Sequence, residues 1–330
     1  MPLRIIVTGA AGFIGSRLLA ALACQQGAAE LLAVDHPLRD DRANNLRCAL
    51  GVSFMDHFQL LAGLEAGILQ PELIIHLGAC SSTTETSWIY LADNNLAYSQ
   101  KLWKWCAANQ ARYFYASSAA TYGDGSAGFD DRASLDSLFP LNLYGQSKHY
   151  FDLWVRDQSL VGAVGPIQCV GFKFFNVFGP GEAHKDRMAS MVYLGFHQIQ
   201  STGTVRLFQS HRHGYADGGQ LRDFIYVKDV VRVILAFAAR PDVSGLFNLG
   251  TGAARSFRDL IEATYQALDR TPKIEYVPMP EDLRNKYQYF TQATMSKTAA
   301  AGIHYTPTSL EESVADYVQY LQNRAVSECL

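Results

Sequence analysis

The chain is predicted to be an α/β protein: a Rossmann-type doubly wound parallel sheet carrying a smaller α/β substrate-binding lobe. Three observations predict this. Short apolar runs alternate with amphipathic segments through the first half, which is the pattern of βαβ units. A glycine-rich turn, Gly9-Ala-Ala-Gly12-Phe-Ile-Gly15, joins the first apolar run to the first helical segment. The 330 residues are 48% hydrophobic and 18% charged, enough to bury the core of one large domain with a lobe, or of two domains.

In chain order, residues 3–8, 31–35, 52–55, 73–77, 113–117 and 167–176 read as strands, and 13–27, 88–108 and 144–160 as helices. Beyond Asn176 the texture changes. Residues 178–187 read as a loop, 188–200 as a helix, and the polar, glycine-rich 210–220 as a mobile loop. Strands are expected at 224–227 and 247–249, and helices at 228–240, 256–268 and 309–321. This divides the chain into a cofactor-binding domain, 1–176, with returning segments near 222–250, and a mainly substrate-binding lobe, 177–330.

A net charge of −3 gives no support for a nucleic-acid surface. No apolar run has the length of a membrane span, and none precedes Gly9 as a signal peptide would. The six cysteines are scattered, without CxxC or metal-like pairing with histidine. They read as reduced thiols of a cytoplasmic protein that holds no metal.

The Gly9 motif follows a strand and opens a helix. There the backbone can approach a pyrophosphate closely, and the free amides and helix dipole favour its charge. Asp35 ends the second strand, where a carboxylate meets a ribose and favours a free 2′-hydroxyl. Arg39 and Arg42 follow within one loop. They can hold a 2′-phosphate, or they are solvated loop charges. His57 follows the third strand, where an adenine would lie, or it is a surface residue at a helix start.

Tyr144-Gly-Gln-Ser-Lys148 opens a helix and puts both side chains on one face. A tyrosine titrates near ~10, too high for a base at neutral pH. A neighbouring ammonium and a positive nicotinamide would favour its phenolate. Ser118, at the end of the fifth strand, can donate to a substrate oxygen as charge develops.

These motifs together resemble the extended short-chain dehydrogenases. More specific runs resemble the ADP-glyceromanno-heptose 6-epimerases among them: His76-Leu-Gly-Ala-Cys80-Ser-Ser-Thr-Thr-Glu85, Asp93-Asn94-Asn95, Phe174-Phe-Asn176-Val-Phe-Gly-Pro180, His184-Lys185, Met188-Ala-Ser190 and Tyr287-Gln-Tyr-Phe-Thr-Gln292. The resemblance covers nearly the whole chain. It implies NADP rather than NAD, a nucleotide-sugar substrate and a homo-oligomer, in that family a homopentamer. It also implies a role in supplying heptose to the lipopolysaccharide of Gram-negative bacteria.

Carried over by position, the resemblance gives the cofactor Phe13, Ile14, Asp35, His36, Arg42, His57, Leu77, Gly78, Ala79, Cys80, Ser81, Asn94, Lys148, Val177 and Lys185, beside the glycines. It gives the substrate Ser118, Asn176, Arg222 and Tyr287. Catalysis would fall to Ser118, Tyr144 and Lys148, with Lys185 as a second base. From the residues alone, Lys185 reads instead as a loop lysine for a substrate phosphate.

Departures from the family fall on the substrate side. Phe208-Gln209-Ser210-His211 replaces Phe-Glu-Gly-Ser, a longer loop follows to Gln220, and Arg187 and Leu194 stand where the family has a serine and a histidine. That loop borders the substrate pocket or is surface decoration. Two rivals remain, a UDP-sugar 4-epimerase and a non-catalytic, redox-sensing NADP-binding protein. The second usually lacks the tyrosine–lysine pair. A 4,6-dehydratase would carry an Asp-Glu pair where Ala119 and Ala120 stand.

Overall fold

The chain begins with β1 (Leu3–Thr8), whose last four residues are all buried, as a central strand covered on both faces requires. A computed structural model describes residues 3–25, 29–36, 44–46, 49, 51–284 and 287–328. The strands that follow are β2 (Ala29–Asp35), β3 (Ser53–Asp56), β4 (Leu73–His76), β5 (Arg112–Ser118) and β6 (Gln168–Phe174). With β10 (Gly245–Leu249) they form a seven-stranded sheet in the order β10-β6-β5-β4-β1-β2-β3, parallel throughout. The order reverses at β1, so ligands belong outside the C-terminal ends of β1 and β4.

Helix Phe13–Cys24 packs on one face of this sheet, together with Val227–Ala238, in a core that includes Leu18, Leu19, Phe172, Val230 and Ile234. The opposite face carries His57–Glu65, Tyr98–Ala108 and Leu143–Leu160, through Leu60, Leu102 and Phe151. The expected helix over 88–108 is continuous but contains a wide π-type turn at Ala92–Ala97.

The expected strand 167–176 is two strands. β6 stops at Phe174, the Phe175 amide donates to Leu249 O at 3.1 Å, and β7 (Asn176–Phe178) joins another sheet. That sheet has the order β11-β9-β7, with β9 at Leu221–Tyr226 and β11 at Ala254–Ser256. A parallel pair, β8 (Val205–Phe208) and β12 (Ile274–Val277), completes the smaller part; both strands are absent from the sequence expectations. Helices Met191–Thr202, Phe257–Ala267 and Leu310–Glu328 pack around Phe196, Leu260 and Tyr317.

The segment 210–220 is irregular, as its composition predicts, and makes tertiary contacts. Asp217 accepts from the Ser210 amide at 2.7 Å, and the His211 amide donates to Tyr289 Oη at 3.0 Å. Tyr215 packs edge-on against the same tyrosine. No helix among the described residues is long and apolar enough to cross a membrane.

Candidate active site

A cleft of about 670 Å³ opens at the C-terminal ends of β1, β2, β4 and β5. Its floor is the glycine turn. A Cβ built on Gly15 would lie 2.1 Å from the Gly9 carbonyl oxygen, so helix and turn touch backbone to backbone only because no side chain intervenes. Asp35 accepts from the Ala11 and His36 amides, each at 2.8 Å, and so fixes the turn to the end of β2. His36 and His57 lie beside it, their ring centroids 3.7 Å apart and their planes tilted by 52°. Burial and the neighbouring His36 hold His57 below the usual imidazole range. Gly15→Ala should cost about 1–3 kcal/mol by overpacking. Urea unfolding together with cofactor titration checks it, and unchanged values of both would contradict the close approach.

The centre of the cleft is built by the helix Leu143–Leu160. Asn142 caps it, accepting from the Gly145 amide at 2.8 Å. A Cβ on Gly145 would come within 2.9 Å of Ala120 O, so the first turn can press against the end of β5. Tyr144 thereby lines the cleft together with Ser118. Burial pushes the Tyr144 phenol up, and Ser118 works against that rise. Lys148 is buried, and desolvation lowers it to about 8 against the opposing pull of Asp152 and Cys80. Burial thus opposes the phenolate that the neighbouring ammonium and a positive nicotinamide are together expected to favour.

Behind Ser118, Ser117 donates to Asp152 at 2.7 Å and Lys173 pairs with the same carboxylate at 2.9 Å. Thr121 donates to Ser118 O at 2.8 Å. This buried network locks the strand end that presents Ser118.

Lys185 enters from the far wall. It sits in the turn Ala183–Met188, with its ammonium 5.3 Å from the Phe13 ring centre. The buried Glu182 carboxylate holds this turn, accepting from Ser190 N and Ser190 Oγ, each at 2.6 Å, and from Gly179 N at 3.2 Å. Asp186, which follows Lys185, has φ 47°, a strained backbone conformation. Burial lowers Lys185, and Glu182 opposes the shift.

One cleft thus collects Gly9, Gly12, Phe13, Ile14, Gly15, Asp35, His36, His57, Leu77, Gly78, Ala79, Cys80, Ser81, Asn94, Ser118, Tyr144, Lys148, Asn176, Val177 and Lys185. Its shape, the glycine cradle and the lysines facing it fit a dinucleotide. Arg39 and Arg42 lie outside the described residues. Arg187, Leu194, Phe208, Gln209, Ser210, His211, Arg222 and Tyr287 do not line the cleft. Arg222 is close behind it: buried, its guanidinium 5.0 Å from the Tyr287 ring and 5.7 Å from Phe257, which does line it. Among the described residues no carboxylate pairs with this cation. Its Nη1 donates to Leu221 O at 2.9 Å and its Nη2 to Gln288 O, so backbone carbonyls satisfy part of the fork while its charge suits an anion.

Sequence reasoning missed Phe257, Glu182 and Asn45. Asn45 donates to Ala11 O at 3.0 Å and Gly181 O at 3.1 Å, joining the glycine turn to the Lys185 segment. Residues 136 positions apart give no local signal for such a bridge.

A family model described as NAD dependent epimerase/dehydratase matches residues 5–250. The chain belongs to this epimerase/dehydratase family. Within it, a protein named ADP-L-glycero-D-manno-heptose-6-epimerase from Nitratidesulfovibrio vulgaris strain DP4 is 45% identical over 320 residues, 96% of this chain and 97% of its own. One of the same name from Fusobacterium nucleatum subsp. nucleatum is 45% identical over 326 residues, again 96% and 97% of the two chains. The crystal structure of the Helicobacter pylori ADP-L-glycero-D-manno-heptose-6-epimerase has a TM-score of 0.79 at 26% identity, over 97% of this chain and 96% of that one. A UDP-N-acetylglucosamine 4-epimerase from Methanobrevibacter ruminantium M1 reaches 0.81 at 22% identity, over 98% and 99% of the chains. Backbone shape alone therefore does not separate 6-epimerases from 4-epimerases in this epimerase/dehydratase family.

Proposed function

We propose that the protein inverts C6 of the heptose in ADP-D-glycero-D-manno-heptose, giving the L-glycero epimer. Two relatives of that name at 45% identity, each over 96% of the chain, carry this reading. The single structural observation that supports it is one cleft lined by both Tyr144 and Lys185, two proton carriers on different elements.

In this reading Tyr144 takes the C6 hydroxyl proton while Ser118 donates to the same oxygen. Bound nicotinamide supplies an acceptor for the C6 hydride that is also its donor. The substrate becomes a planar ketone, open to reduction from either face, and Lys185 serves the oxygen of the opposite epimer. Lys148 holds the nicotinamide ribose, Asp35 the adenosine ribose and the Gly9–Gly15 amides the pyrophosphate. Arg222 and Tyr287 receive the nucleotide-sugar diphosphate, with Asn176 and residues 208–211 toward the sugar. The split between a cofactor part, 1–176, and a substrate part, 177–330, belongs to the same proposal. So do a homo-oligomeric state and a cytoplasmic location.

NADP is proposed over NAD, on Arg42 against the opposing charge of Asp35. Arg42→Ala should weaken NADP binding about ten- to hundredfold, the worth of a charge-assisted hydrogen bond, and leave NAD unchanged. Equal affinities before and after would remove Arg42 from the phosphate site. A panel of nucleotide sugars tests the substrate: inversion of the ADP-heptose without net cofactor consumption supports the reading. Turnover of UDP-hexoses instead would make the protein a 4-epimerase.

A further inference from the structure

The cleft contains a thiol that the reaction does not use. Cys80, half-buried, lines it between the glycine turn and the helix carrying Tyr144 and Lys148. Asn95 fixes it there. The Cys80 amide donates to Asn95 Oδ1 at 2.8 Å, and Asn95 Nδ2 donates to Cys80 O and to Ser147 Oγ, each at 3.0 Å. Ser147 adjoins Lys148, so the loop is pinned to the catalytic helix. Cys80 interacts electrostatically with both Tyr144 and Lys148.

A second observation points to a ligand at the same place. The Lys148 side chain is 5% exposed and faces the cleft, yet among the described residues no hydrogen bond or ion pair engages its ammonium. A half-buried cysteine and a cation with no hydrogen bond or ion pair among the described residues therefore line one open cleft. The other described cysteines are placed differently. Cys106 is buried, and burial pushes its thiol far up; Cys169 is pushed up to about 12 for the same reason. Cys24 is exposed at the end of its helix, away from the cleft.

We propose that Cys80 is a modification site gated by the cofactor: small disulfides and alkylating electrophiles react with it while the cleft is open, and a bound dinucleotide shields it. With a disulfide, the Cys80 sulfur attacks one sulfur of the reagent. A mixed disulfide forms as the reagent's S–S bond breaks, the other half leaves as a thiolate, and the thiol proton passes to solvent. Cys80 is oxidised and the departing half reduced, so no further oxidant is needed. The adduct then fills cofactor space, which would make the enzyme sensitive to thiol oxidation only when it is not loaded. This inference rests on the reading of the cleft as a dinucleotide site.

The test treats the full-length protein, stripped of nucleotide, with 2-hydroxyethyl disulfide, and follows each cysteine by peptide mass spectrometry. Parallel samples carry NADP or NAD, with binding measured by fluorescence titration. Cys80 should be modified well ahead of Cys106 and Cys169. Cofactor at ten times its dissociation constant should slow Cys80 about tenfold, the fraction of protein left empty, without slowing Cys24. Modified protein should lose cofactor binding, and dithiothreitol should restore it. Cys80→Ser should make the remaining binding insensitive to the reagent. Cofactor that binds without protecting Cys80 overturns the proposal, as does loss of binding that persists in Cys80→Ser. If neither nucleotide binds, the dinucleotide reading beneath it is overturned instead.

Discussion

Tyr144→Phe and Lys185→Met should each cut epimerisation by about 100- to 10,000-fold, the usual worth of a positioned acid–base group, while the cofactor still binds. Both groups line one cleft, and burial opposes the charged form of each, raising the Tyr144 phenol and lowering the Lys185 ammonium. A positive nicotinamide would pull Tyr144 the other way. Inversion should then follow a bell-shaped pH profile, falling at low pH as both groups hold protons and at high pH as both lose them. The lowered Lys185 places the acid limb below the ordinary lysine range. Each single variant should keep partial chemistry on the epimer served by its surviving base, seen as dismutation of an aldehyde analogue. Wild-type epimerisation by Lys185→Met would end the two-base scheme and return Lys185 to phosphate binding.

Asp152→Ala should destabilise the fold by about 3–5 kcal/mol, because it strands a buried ammonium. The Lys173 and Asp152 side chains are 1% and 0% exposed, and the pair is 2.9 Å apart. Ser117 loses its acceptor as well. Such a loss is a large share of the roughly 5–15 kcal/mol that holds a protein folded. Urea unfolding measures it. The double variant Asp152→Leu with Lys173→Met should recover much of the stability, since an apolar pair avoids the desolvation cost. A double variant no more stable than Asp152→Ala would place the energy elsewhere in the network.

The parallel sheet was legible because its strands are short, apolar and separated by helical periodicity, and because Gly9–Gly15 sits at the first strand–helix junction. Tyr144 and Lys148 were legible because a spacing of four fixes a helix face. The break of β6 at Phe175 was not, since 167–176 reads as one apolar run and only pairing with β9 and β10 divides it. β8 and β12 were missed because each has four residues and finds its partner about seventy positions away. Composition suggested a mobile 210–220 segment. Its contacts through Asp217 and with Tyr289 are ones that polarity and glycine content do not encode. Asn45 acts through a bridge to Gly181, 136 positions away, so nothing local distinguishes it, whereas Glu182 closes its own turn onto Gly179 and Ser190.

The most direct measurement of the central claim is an NMR assay of ADP-D-glycero-D-manno-heptose with the purified protein in D2O. Oxidation and re-reduction predict inversion at C6 with no solvent deuterium at that carbon and no net cofactor consumption, because the hydrogen removed is the one put back. Deuterium at C6, or an unchanged D-glycero substrate beside cofactor-loaded protein, would contradict it.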